Sequence, residues 1–221
     1  MEIHWTMLFA LEAAGTIAFA SSGAMVAIEK NLDLLGIIVL GVITAVGGGM
    51  IRDITIGNIP PSLFRNPVYV WMSLITVLLL FLVIRFHPRI MEGRYRSTYE
   101  KVMNIFDAVG LGAFTVVGIN TAIEAGYGDY RFLAAFLGVV TGVGGGMLRD
   151  IMANQTPYVL RKHFYACASI IGAVCYIFLR ELIPGNSAML LCAFIVVIIR
   201  LLATRYRWNL PRASGKNKDR R

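Results

Sequence analysis

Gly47-Gly48-Gly49-Met50-Ile51-Arg52-Asp53 returns 97 residues later as Gly144-Gly145-Gly146-Met147-Leu148-Arg149-Asp150, and each copy lies inside a strongly apolar run. Three consecutive glycines beside an ion pair are costly in a helix, and here they occur twice. The likeness spreads outward. Residues 41–54 and 138–151 agree at 11 of 14 positions, and Pro60 aligns with Pro157. Upstream, with the offset reduced by two residues, Glu12, Gly15, Phe19 and Gly23 align with Asp107, Gly110, Phe114 and Gly118. The chain is one unit duplicated, which governs how the rest is read.

Of the 221 residues, 57% are hydrophobic and 15% charged, which is not the balance of a soluble domain. Seven apolar stretches, at about 6–28, 35–58, 67–86, 104–123, 132–155, 163–181 and 187–203, are each long enough to cross a hydrocarbon core of roughly 30 Å. The sequence thus predicts an all-α integral membrane protein with seven transmembrane helices. Its organisation divides as a first three-helix repeat (1–86), a basic loop (87–103), a second three-helix repeat (104–181), a seventh helix (187–203) and a basic tail (204–221). The N-terminus lacks a basic leader region and a small-residue cleavage site, so it reads as the first span. Cys167, Cys175 and Cys192 all fall within spans and read as packing residues, and no metal site or cofactor is expected.

The net charge of +8 follows the predicted topology. Counting Arg85 with the basic residues of the 87–103 region, those of the stretch from Arg200 onward, and Lys30, Arg161 and Lys162 gives 16 on one side of the membrane. Only Arg65, Arg131 and Arg180 fall on the other side. The positive-inside rule then places the C-terminus in the cytoplasm and the N-terminus outside. Anionic lipid is a fitting partner for these charges, and nucleic acid is not needed to explain them. Trp5, Tyr69, Trp71, Tyr127, Tyr130, Tyr165, Tyr206 and Trp208 stand near predicted span ends, where an aromatic belt would lie.

Each repeat holds an odd number of spans, so the second copy enters the membrane from the opposite side. The expected architecture is a pair of inverted repeats plus a seventh helix, a plan in which sites lie near the midplane between discontinuous helices. Helices two and five are the candidates for such kinks or breaks, with Gly47, Gly48 and Gly49 facing Gly144, Gly145 and Gly146 along a permeation or substrate pathway. Freed carbonyls would suit a cation, and half-helix N-termini an anion. The alternative role for these glycines is close helix packing, as for the small residues Ala14, Ala18 and Ser22, or Gly110, Gly118 and Ala122.

Arg52, Asp53, Arg149 and Asp150 fall at membrane depth, where charges are costly and usually pair or line wet cavities. Adjacent helical residues point apart, so the expected pairs cross between the repeats: Arg52 with Asp150, and Arg149 with Asp53. Glu12 and Asp107, equivalent by the repeat, are further acids within or near helices one and four.

Nothing suggests an enzyme. The glycine run lacks the Lys-Ser/Thr of a phosphate loop, and His4, His87 and His163 sit at span ends or in loops. The doubled motif in a seven-span chain of this length resembles the prokaryotic TRIC (trimeric intracellular cation) channel family over nearly the whole chain, excluding the basic tail. The resemblance implies a homotrimer of the bacterial inner membrane with one pore per protomer. It also implies glycine-kinked helices two and five lining that pore and passive conduction of potassium and sodium. The basic lipid-binding motif of eukaryotic relatives has no match in residues 101–112, so phosphoinositide control is not carried over. The same domain family includes bacterial members described as glycine transporters, and transport of glycine or another small amino acid through the same pathway is the alternative.

Overall fold

A computed structural model describes residues 2–87, 89, 95–161 and 164–208. Arg94, Lys162, His163 and the tail beyond 208 lie outside the described residues, as do the side chains of His4, Trp5 and Arg161. Seven helices are long and apolar enough to cross a membrane. They are α1 (Glu2–Glu29), α2 (Leu34–Thr55), α3 (Val68–Phe86), α4 (Arg96–Ala122), α5 (Arg131–Met152), α6 (Phe164–Leu182) and α7 (Gly185–Arg205). One-turn helices, Ser62–Arg65 and Tyr158–Arg161, follow α2 and α5. Helix α4 begins well before the apolar run it carries, so Arg96 and Lys101 of the expected basic loop are helical.

The helix ends are written in the local sequence. Asp33 caps α2, its carboxylate accepting the Gly36 amide at 2.7 Å. Helices α2 and α5 finish alike, in a left-handed residue at the same repeat position: Gly57 (φ 73°) and Asn154 (φ 52°). The Gly57 and Asn58 amides return to the carbonyls of Ile54 and Asp53, and those of Asn154 and Gln155 to Ile151 and Asp150. This double closure satisfies carbonyls that a helix end otherwise leaves open.

Helices α1 and α4 lie together at the centre, against α2 and α5 respectively, while α2 and α5 cross each other. Helix α3 covers α1 and α2, α6 covers α5, and α7 packs on α4 and α6. The central contacts come in reciprocal pairs. Gly15 faces the Phe114 ring and Gly110 faces the Phe19 ring, the two rings standing 5.3 Å apart between centroids. Gly23 meets Gly41 and Thr44, while Gly118 meets Gly138 and Thr141. Small residues let the backbones close where apolar burial against lipid supplies little drive. Ala18, Ser22, Gly110, Gly118 and Ala122 are spent on this packing within the chain.

Of the expected kink or break, the break is overturned here. Helices α2 and α5 run without a break through Gly47, Gly48 and Gly49 and through Gly144, Gly145 and Gly146. A β-carbon on Gly48 would overlap the Thr141 carbonyl oxygen, and one on Gly145 the Thr44 carbonyl oxygen. Gly144 lies 3.2 Å from the Gly48 α-carbon by the same measure, and Gly47 faces Leu148. The glycines therefore bring two main chains into contact, and the helical hydrogen bonding that a break would forfeit is kept.

Candidate functional site

Two buried charge clusters flank this crossing, one from each copy of the motif. In the first, Arg52 Nε and Nη2 both donate to Asp53 Oδ1, at 2.9 and 2.7 Å. Arg52 Nη1 donates to Thr121 of α4 at 3.2 Å. The other Asp53 oxygen accepts the Ser62 amide at 2.7 Å and so fixes the turn after α2. In the second, Arg149 Nε donates to Asp150 Oδ1 at 2.8 Å, and Asp150 Oδ2 accepts the Tyr158 amide at 2.7 Å. Arg149 Nη1 reaches Ser22 of α1 at 2.6 Å and Asp107 Oδ1 of α4 at 2.7 Å.

The expected cross-repeat pairs are thus replaced by pairs within each motif. Neighbouring positions diverge by about 100° around a helix, but the guanidinium arm is long enough to fold back over its neighbour. What each Arg sends across to the other copy is one hydrogen bond to a hydroxyl, Thr121 or Ser22. Those hydroxyl partners could not be read from the motif.

Glu12 and Asp107 occupy equivalent places, each beside a tyrosine. The Tyr69 hydroxyl donates to Glu12 Oε2, and the Tyr165 hydroxyl to Asp107 Oδ1 at 3.4 Å. These two tyrosines were expected in an interfacial belt. Tyr165 is instead buried and Tyr69 half-buried, whereas Trp71, Tyr130, Tyr206 and Trp208 are exposed at span ends. Outside the spans, burial raises the titration of the Tyr158 phenol, and the Arg149 guanidinium 5.3 Å from its ring opposes that rise.

The clusters differ in access and in charge. The first opens on a cavity of about 70 Å³, lined among others by Glu12, Thr16, Gly49, Arg52, Asp53 and Tyr69. That is room for a few waters or a small solute. It sets two acids against one guanidinium. The second is closed: Asp107, Arg149 and Asp150 are each 1% exposed. It takes a further cation from α7, Arg200, whose Nη2 lies 3.6 Å from Asp107 Oδ2 and whose guanidinium carbon stands 4.5 Å over the Tyr165 ring. Arg200 is 2% exposed, so it does not belong with the basic residues counted toward the C-terminal side. A lone Arg inside an apolar span was the available signal.

Of the six motif glycines, Gly49 lines the cavity, and Gly146 lies against Tyr165 and Asp107. Among the described residues no group of three or more His, Cys, Asp or Glu is placed to hold a metal ion. The cysteines form no disulfide, and Cys192 is buried in the core.

Seven apolar helices enclosing buried ion pairs and a small cavity with two acids in its wall define a polytopic membrane protein. The model of the family described as "Glycine transporter" matches residues 9–85 and again 104–181. The chain belongs to that family. It is 34% identical over 213 residues to the UPF0126 inner membrane protein YadS of Escherichia coli K12, covering 96% of both chains. It is 36% identical over 211 residues to a UPF0126 membrane protein of Deinococcus radiodurans, covering 95% of this chain and 91% of that one. Among solved structures it superposes on the TRIC trimeric intracellular cation channel orthologue from Rhodobacter sphaeroides. That match has a TM-score of 0.80 at 31% identity, over 92% of this chain and 100% of the other. A prokaryotic TRIC channel in 0.5 M KCl gives 0.83 at 29% identity, over 93% and 100%.

Proposed function

We propose that the chain is a passive channel for monovalent cations, potassium and sodium, and that the first charge cluster is its ion-binding station. The carrying observation is the cavity bounded by Glu12, Asp53 and Tyr69. Its wall is largely apolar, it lies among the spans, and its two acids face a single guanidinium whose three nitrogens are already engaged. One monovalent cation would balance it, and the low local dielectric would make that balance worth more than in water. The pathway passes Gly49, Glu12 and Arg52, with the remaining motif glycines holding α2 and α5 together beside it.

The reciprocal contacts at Gly15 with Phe114 and Gly110 with Phe19 support two inverted halves related by a pseudo-two-fold axis in the membrane plane. The neighbours described as trimeric support a homotrimer with one pathway per protomer. The E. coli relative's name supports the bacterial inner membrane. The distribution of basic residues supports a cytoplasmic C-terminus, against anionic lipid, and an N-terminus outside.

Purified protein in planar bilayers is expected to give unitary potassium currents; none over a range of voltages would sink the reading. The family's description favours one competitor, a carrier of glycine or another small amino acid whose ammonium group would sit at Glu12 and Asp53. Saturable glycine uptake into proteoliposomes, with no unitary current from the same preparation, would decide for the carrier.

A further inference from the structure

The duplication supplies an internal comparison. The cavity-lining residues Glu12, Thr16, Gly49, Arg52 and Asp53 correspond by the repeat to Asp107, Leu111, Gly146, Arg149 and Asp150, and Tyr69 matches Tyr165 because the helices after the motif, Ser62–Arg65 and α3, return 96 residues later as Tyr158–Arg161 and α6. In the first half Glu12, Gly49 and Tyr69 are partly exposed to the cavity while Thr16, Arg52 and Asp53 are buried, and among the described residues no second Lys or Arg ion-pairs with the set. In the second half all six positions are buried and Arg200 lies on the acid and the tyrosine. Arg200 belongs to α7, which lies outside the duplicated unit and has no counterpart in the first half.

The fit of Arg200 is loose. Asp107 Oδ2, Arg200 Nε and Arg200 Nη2 are buried without a hydrogen-bond partner, and the 3.6 Å between Nη2 and Oδ2 is an ion-pair distance only. Arg200 Nη1 donates only to Thr204 of its own helix, at 3.3 Å, whereas Arg149, although its Nη2 is also unpartnered, donates from Nη1 to Asp107 Oδ1 at 2.7 Å. Arg200 supplies chiefly charge, and a face for the Tyr165 ring.

We propose that Asp107 and Tyr165 form a second, latent monovalent-cation site whose occupant is the tethered Arg200 guanidinium. The second half-site is thereby held loaded and shut, while its first-half equivalent stays open to exchange. This rests on the reading of the first cavity as a cation site only for the identity of the ion, since the Arg200 contact is independent of it.

The test places the site on its own. Glu12→Gln removes the first acid, and Arg200→Met then removes the tethered charge while keeping most of the side-chain volume. Melting of the purified double variant is followed in potassium chloride and in choline chloride at equal ionic strength. The double variant is expected to melt about 3 °C higher in 100 mM potassium than in choline. Glu12→Gln alone should show no such difference, and adding Asp107→Asn to the double variant should abolish it. Guanidinium chloride at low millimolar concentration should stabilise the double variant in choline, as a soluble copy of the missing group. Equal melting in potassium, choline and guanidinium overturns the proposal. If the double variant yields no folded protein, Asp107→Asn should restore folding by removing the uncompensated acid, and failure to restore it also overturns the proposal. A wild-type chain that conducts no potassium would remove the ion-station reading and leave this result standing.

Discussion

Gly48 of α2 lies directly beneath the main-chain carbonyl of Thr141 on α5, with no room for a side-chain carbon between them. Gly145 lies in the same way beneath the carbonyl of Thr44. Each motif is therefore packed by the backbone of the other.

The two roles open to the glycines separate at neighbouring positions. Gly48→Ala drives a methyl group into a carbonyl oxygen and should destabilise by about 2–3 kcal/mol, the upper part of the range for overpacked cores, lowering the detergent-solubilised melting temperature by roughly 5–10 °C. Gly49→Ala meets only Arg52 Nη2, at 3.7 Å, an ordinary contact. It should leave melting unchanged or raised, since alanine favours a helix by about 1 kcal/mol, yet lower the potassium current by narrowing the cavity.

Arg149 answers two buried acids at once, Asp107 and Asp150. Arg149→Met should cost about 3–5 kcal/mol, the penalty for leaving a buried charge unpaired, and sharply reduce the yield of folded protein. Adding Asp107→Asn should recover part of that loss, read as yield and melting temperature. Full stability in Arg149→Met would mean that the second cluster is wet rather than closed.

Glu12→Gln keeps the shape at the cavity and leaves Tyr69 an acceptor for its hydroxyl. Unitary potassium conductance is expected to fall several-fold, with melting shifted by less than about 3 °C, the equivalent of 1 kcal/mol. Unchanged conductance would move the ion station elsewhere.

Arg131 and Glu181 also meet at 2.7 Å, but both are more than half exposed. Glu181→Gln should change stability by less than about 1 kcal/mol, as such surface pairs do. A larger loss on thermal melting would show this end of α5 and α6 to be shielded from solvent.

The seven spans were legible because each apolar run had to match a membrane thickness, and the duplication was legible because Gly-Gly-Gly-Met and Arg-Asp recur at fixed spacing. Helix breaks were expected from the helix propensity of glycine, which treats each helix alone. In the bundle, Thr44 and Thr141 offer a main-chain surface that only glycine can approach, so packing overrode propensity. The Arg-Asp pairing failed for a similar reason. Helical periodicity describes where β-carbons point, while Arg52 Nε lies several bonds further along a flexible arm. Tyr69 and Tyr165 were placed by their distance from span ends, a measure that says nothing of Glu12 and Asp107, the acids they meet once the helices pack. Arg200 was counted with the C-terminal basic residues because topology rules count charge by chain position, without regard to what a helix face meets.

The seam between α2 and α5 has main chain on both sides, and main chain has no rotamers. Nothing at Gly48 or Gly145 can swing aside as a side-chain gate would; the helices must separate or slide as rigid rods, carrying the Arg52 and Arg149 clusters with them. Motions of that kind are collective and take microseconds to milliseconds. A change of state at this crossing would therefore arrive as a step, with both halves committed together.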